Sequence, residues 1–176
     1  MADLIVVTGP PGAGKSTVAE LLVGRFSPSA LVAGDHFFGF LRRGAVPPWE
    51  PAAHAQNELV TRAAAAATGR LVTGGLAVVY DGVLGPWFLP VFLAATGLER
   101  LHYAVLLPTE EQCVERVRSR RGHGFTDLDA ARRMHREFAT ADVDPRHVLG
   151  GHGSPAVTAE AVTRRFTAGD LVVPRP

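Results

Sequence analysis

The stretch that decides the fold is Gly9 to Ser16, G-P-P-G-A-G-K-S, set inside "VVTGPPGAGKST" from Val6 to Thr17. It satisfies G-x-x-x-x-G-K-[ST] in full, with an apolar strand-length run, "LIVVT" (Leu4–Thr8), before it and helical spacing after it. That context predicts a strand, a phosphate-binding loop and a helix in immediate succession. Glycines at these spacings let backbone N–H groups turn inward as an anion nest, continued by the positive end of the helix. Lys15 is the only lysine in a chain of 18 Lys and Arg residues. Arginine supplies every other permanent side-chain cation, so the single ammonium falls where a compact point charge suits terminal phosphates. Gly9, Pro10, Pro11, Gly12, Ala13, Gly14, Lys15, Ser16 and Thr17 are therefore the expected nucleotide-binding set. The Ser16 hydroxyl is placed to ligate Mg²⁺, and Thr17 faces the α-phosphate.

Outward from this loop the pattern repeats. "ALVAG" (Ala30–Gly34), "LAVVYDG" (Leu76–Gly82), "LHYAVLLP" (Leu101–Pro108) and the weaker "HVL" (His147–Leu149) read as strands. Helices are expected over Asp35–Arg43, Pro51–Thr68, Pro86–Ala95, Thr109–Arg121, Asp127–Ala139 and Pro155–Phe166. Continuous apolar strands alternating with helices imply an α/β fold with a parallel sheet covered on both faces. At 176 residues the chain has the size of one domain, 1–176. An acceptor insertion is expected at about 35–57 and a lid at about 120–136. The tail "GDLVVPRP" is compatible with an edge strand or a loose end.

Net charge of +1 gives no overall reason to expect nucleic acid or a membrane, and a lone Cys113 excludes an internal disulfide. The first apolar run is too short for a signal peptide and no run spans a bilayer, so a cytoplasmic location is expected.

Two acids stand at predicted strand ends, where ligands bind in open parallel sheets: Asp35 in "VAGDHFF" and Asp81 in "AVVYDGV". Asp35 is a candidate to orient and deprotonate an acceptor hydroxyl, or else an N-cap for the following helix. Asp81 is a candidate Mg²⁺ ligand and substrate contact, or else half of an Asp-Gly turn. In the first insertion Phe38, Arg42, Trp49 and Gln56 are candidate acceptor contacts, although aromatics at this density also suit a core. Arg116, Arg118, Arg120, Arg121, Arg132, Arg133 and Arg136 crowd one segment around "GHGFTD". They read either as a mobile cationic flap over a triphosphate or as solvated surface paired with acids such as Glu115 and Glu137. Arg118 falls on the opposite face from Arg116 and Arg120 and is the expected bystander.

The phosphate loop, Asp35, "YDG" (Tyr80–Gly82) and "ERVRSRRG" together resemble the small P-loop kinases: adenylate, gluconate and shikimate kinases, with chloramphenicol phosphotransferase and zeta-toxin relatives. "GDHFFGFLRRGAVPPWEPAAHAQNE" and "YDGVLGPWF" look most like bacterial AAA-type ATP-binding proteins of unassigned acceptor. The resemblance implies a three-layer α/β/α fold with five strands in the order 2-3-1-4-5. It also implies ATP and Mg²⁺ as cofactors, Arg116 against the adenine, Arg120 at the phosphates, and an adenine loop near Gly150–Pro155. The expected activity is transfer of the γ-phosphate to a hydroxyl of a small molecule, and nucleic acid is not the expected partner. A nucleotide-dependent switch or ATPase with a protein partner, and a nucleic-acid 5′-end kinase, are the alternatives. An N-K-x-D base-reading motif is absent, because Glu58 follows the only asparagine, Asn57.

Overall fold

The computed structural model describes residues 3–119, 125–150 and 153–175. Five strands form a parallel sheet: β1 (Leu4–Thr8), β2 (Ser29–Ala33), β3 (Ala77–Asp81), β4 (Arg100–Leu106) and β5 (Val148–Leu149). Their order is β2-β3-β1-β4-β5, as the resemblance implies. A sixth strand, β6 (Val172–Pro174), turns the tail back and pairs antiparallel with the first half of β4. Among the described residues seven α-helices connect the strands: α1 (Lys15–Val23), α2 (Asp35–Phe38), α3 (His54–Thr73), α4 (Leu89–Thr96), α5 (Glu110–Ser119), α6 (Leu128–Thr140) and α7 (Pro155–Ala168).

Alternation along β1 divides the core. Leu4 and Val6 point to one face, where they meet Val78, Leu101, Tyr103, Ala64 and Ala65 of α3, and Phe92 of α4. Ile5 and Val7 point to the other, against Val18 and Leu22 of α1 and Val162 of α7. Every residue of β1 is buried, so Leu4–Val7 are apolar on both faces and show no polar alternation. β1 lies between β3 and β4, so the strand order reverses direction at its end, where a crevice opens. That is where the phosphate loop begins.

Several boundaries differ from the sequence reading, each for a local reason. The helix expected over 35–43 closes after one turn, α2, with Gly39 as its C-cap and Gly44, Pro47 and Pro48 beyond it. Pro51–Ala53 form a single 3₁₀ turn that feeds α3, which runs to Thr73. The segment expected as a lid, 120–136, is helical from Leu128 as α6, which packs against α5. Among the described residues no helix is long and apolar enough to cross a membrane.

Candidate active site at the strand ends

The phosphate loop is held by close backbone approach. Gly9, Gly12 and Gly14 adopt φ of 141°, 81° and 90°, conformations that L side chains rarely enter. A Cβ on Gly9 would collide with the Leu106 carbonyl of β4, and one on Gly12 with the Cys113 carbonyl of α5. The loop is thus wedged between the sheet and α5, and only glycine fits. Its return turn is closed by the Ala13 amide donating to the Pro10 carbonyl at 3.2 Å. Lys15 opens α1, and its Nζ donates to the same Pro10 carbonyl at 3.1 Å. Ser16 and Thr17 are exposed on the first turn, which carries no acid to cancel the helix dipole.

The strand-end acids converge as the topology requires. Asp81 ends β3 with Val7 and Ala33 as its register partners, and the Gly34 amide donates to the Asp81 carbonyl at 2.7 Å. That bond ties the end of β2, and hence Asp35, to the end of β3. Asp35 is the first residue of α2, Gly34 is the N-cap, and the Asp35 carboxylate accepts no hydrogen bond among the described residues. The capping role is therefore not the one the structure displays. Tyr80 lies beneath both acids, its ring against Phe92 and its hydroxyl against Gly34. Burial raises its pKa, and the Asp35 and Asp81 carboxylates raise it further, so the phenol stays protonated. The loop after Asp81 is stapled to β1 and β4: Thr8 Oγ1 donates to the Leu84 carbonyl at 2.9 Å and accepts from its amide at 2.8 Å. Tyr103 Oη donates to the same carbonyl at 2.7 Å.

One cavity of about 660 Å³ joins these parts. Pro11, Lys15 and Ser16 line one side, Asp35, Tyr80 and Asp81 the floor, and Phe38, Trp49, His54 and Asn57 from the insertion and α3 the far wall. Two of the expected acceptor contacts are not there. Arg42 is exposed and does not line the cavity. Gln56 instead clamps the insertion, its Oε1 accepting from the Val46 amide at 2.9 Å and its Nε2 donating to the Val46 carbonyl at 2.7 Å. Sequence reasoning missed Trp87, Phe88 and Phe125 and took Arg133 and Glu137 only as parts of the charged segment; all five line the cavity. The Gly-Pro-Trp-Phe run after Asp81 carried a signal for Trp87 and Phe88, since a turn there stays beside the strand end. Nothing local marked the residues from α6.

The arginines separate into different roles. Arg118 pairs with Glu115 at 3.1 Å, Arg132 with Asp129 at 2.9 Å and Arg136 with Glu110 at 2.9 Å, all at the surface. These three form solvated ion pairs. Arg133 Nη2 donates to the Trp49 carbonyl at 2.9 Å, joining α6 to the insertion across the cavity. Arg116 Nη1 donates to the Gly12 carbonyl at 3.3 Å, on the outer side of the phosphate loop. Arg120 and Arg121 lie outside the described residues, as do residues 151–152 of the expected adenine loop. Cys113 is buried with its pKa raised by burial against the opposing pull of Arg116 and Lys15, which makes it a core thiol.

Among the described residues no cluster of three or more His, Cys, Asp or Glu side chains is built to hold a metal. The donors available are the Ser16 hydroxyl and the Asp81 carboxylate, which is buried without an ion pair among the described residues. Two hard oxygen donors suit Mg²⁺, which typically takes one or two protein ligands and completes its shell with phosphate oxygens and water.

Comparison with known proteins agrees with this fold. A family model described as AAA domain matches residues 4–141. No curated protein matches. Among solved structures, the Deinococcus radiodurans tunicamycin resistance protein superposes with a TM-score of 0.71 at 16% identity, covering 94% of this chain and 96% of the other. A sugar kinase from Janibacter sp. HTCC2649 gives 0.68 at 18% identity, covering 97% and 96%. A gluconokinase from Sinorhizobium meliloti 1021 gives 0.65 at 19% identity, covering 96% and 94%. At these identities the likeness is one of fold.

Proposed function

The chain belongs to the AAA domain family, within the small P-loop kinase-like superfamily, and from that premise we propose that it transfers the γ-phosphoryl group of ATP to a hydroxyl of a small molecule. The observation that carries this reading is that Lys15 and Ser16 share one cavity with Asp35 and Asp81, while two ring-lined walls leave room for a second molecule. Loop amides and Lys15 bind the phosphates. Ser16 and Asp81 hold Mg²⁺, which supplies neutralisation of phosphate charge. Asp35 accepts the hydroxyl proton as the acceptor oxygen bonds to phosphorus and the β,γ-bridging P–O bond breaks, leaving ADP. Arg120 is assigned to the charge that develops on the phosphates, as the resemblance implies. The sugar kinase and gluconokinase folds support a small-molecule acceptor.

Calorimetry with Mg-ATP and label transfer from γ-labelled ATP test the reading. Lys15→Met should weaken ATP binding about tenfold or more, because a charge-assisted contact is lost. Asp35→Asn should leave ATP affinity within about threefold while transfer falls about 100-fold or more. No heat with Mg-ATP, together with an inert Lys15→Met, would overturn the proposal. Label passing only to water, with no acceptor in any panel, would favour the ATPase alternative.

A further inference from the structure

Resting on that reading, we propose that the acceptor is a flat, ring-bearing alcohol without negative charge, and that the cavity favours one carrying an amine. The far wall is built of rings from separate elements. Trp49 meets Phe125 edge-on with centroids 5.0 Å apart, and His54 stacks on Phe88 at 5.2 Å. Trp87 completes the apolar lining. A polyol would lay many hydroxyls against these rings, each losing water without gaining a partner. The amide nitrogen of Asn57, a natural sugar contact, already donates to the Pro48 carbonyl at 2.7 Å.

Charge narrows the class further. Asp35, Glu50 and Glu137 line the cavity, and none takes part in a salt bridge or side-chain hydrogen bond among the described residues. The neighbouring surface cations Arg132 and Arg136 are held by other acids. The single guanidinium lining the cavity among the described residues, Arg133, is engaged with the Trp49 carbonyl. An acidic acceptor would thus face three carboxylates, offset by the committed Arg133 and, at the phosphate loop, by Lys15. An ammonium would meet those carboxylates and the indole face of a tryptophan, both attractive.

The chain's two tryptophans, Trp49 and Trp87, both line the cavity, so intrinsic fluorescence reports occupancy directly. Three probes share a phenyl ring and a benzylic hydroxyl and differ in charge: 2-amino-1-phenylethanol, 1-phenylethanol and mandelate. Gluconate serves as the acidic polyol. The amine should bind about tenfold tighter than mandelate at low ionic strength, and the ratio should shrink as salt is added. Glu137→Gln, on an exposed helix face, should cut the amine preference about threefold without lowering the melting temperature. Mandelate or gluconate binding as tightly as the amine would overturn the proposal, as would a fluorescence signal that none of the phenyl probes moves. Mg-ATP calorimetry on the same sample separates the two readings. Heat from ATP with no phenyl probe bound removes the acceptor class alone, whereas absence of ATP heat removes the phosphotransferase reading itself.

Discussion

Replacing Gly12 by alanine tests whether the phosphate loop is held in shape by its contact with α5. Gly12 has φ of 81°, which alanine enters at a cost of about 1–2 kcal/mol. Its new methyl would also run into the Cys113 carbonyl, a backbone atom that cannot rotate away. Overpacking of that kind costs about 1–3 kcal/mol. The sum is about 2–5 kcal/mol, and in a chain of 176 residues each kcal/mol lowers the melting temperature by about 2–4 °C. A fall of about 10 °C is expected. Gly97 supplies the control: its φ is 72°, but a Cβ there meets nothing within 4 Å. Gly97→Ala should therefore show the backbone term alone, a fall of about 4 °C. Thermal unfolding of both variants by circular dichroism, with Mg-ATP calorimetry on Gly12→Ala, gives the comparison. Nucleotide heat should vanish in Gly12→Ala, because the loop must back away from α5, and persist in Gly97→Ala. Equal melting temperatures for the two would refute the wedge.

Two further perturbations address other parts of the molecule. Thr8→Val removes one of the two acceptors of the buried Leu84 amide, which keeps the Gly82 carbonyl at 3.1 Å, and should cost about 0.5–1.5 kcal/mol, read as a melting temperature about 1–6 °C lower; an unchanged value would deny the staple beneath Asp81. His102 has its pKa lowered, chiefly by burial against Phe166 and in part by Arg100, with Asp3 opposing. The folded state therefore binds this proton less readily than the unfolded chain, so the contribution of His102 is complete above its unfolded pKa of about 6.5 and declines as pH falls toward the folded value. The melting temperature of His102→Gln should drop less between pH 8 and pH 5.5 than that of the parent; parallel curves would show that His102 plays no part.

What could be read from residues alone follows from the range of the interactions. The loop Gly9–Ser16 declares itself because its constraints are local: positive φ, an inward backbone and a helix start within eight residues. Asp35 and Asp81 were legible because a continuous apolar run must end somewhere, and a parallel sheet gathers those ends. Gln56 and Arg42 were not, since a polar side chain near a pocket can equally turn to backbone or solvent; Val46, ten residues away, captured Gln56. The arginine segment left two readings open because some of its partners are local, Glu115 and Asp129 three positions from Arg118 and Arg132, and others distant, Glu110 to Arg136 spanning 26 positions. The walls contributed by Trp87, Phe125 and Glu137 depend on how α6 and the loop before α4 settle on the sheet, which no periodicity encodes.

The antiparallel return of the tail has a consequence for self-association. β5 pairs with the last residues of β4 and β6 with its first, and between them the Tyr103 amide donates to the Leu171 carbonyl at 2.8 Å. Together they occupy the outer flank of β4 along most of its length. An intermolecular strand arriving there finds its hydrogen-bonding groups already matched, so this flank offers no template for cross-β growth. Detaching β6 would uncover the backbone of Arg100–His102 beside a largely apolar interior, turning a quiet boundary into a seed for aggregation.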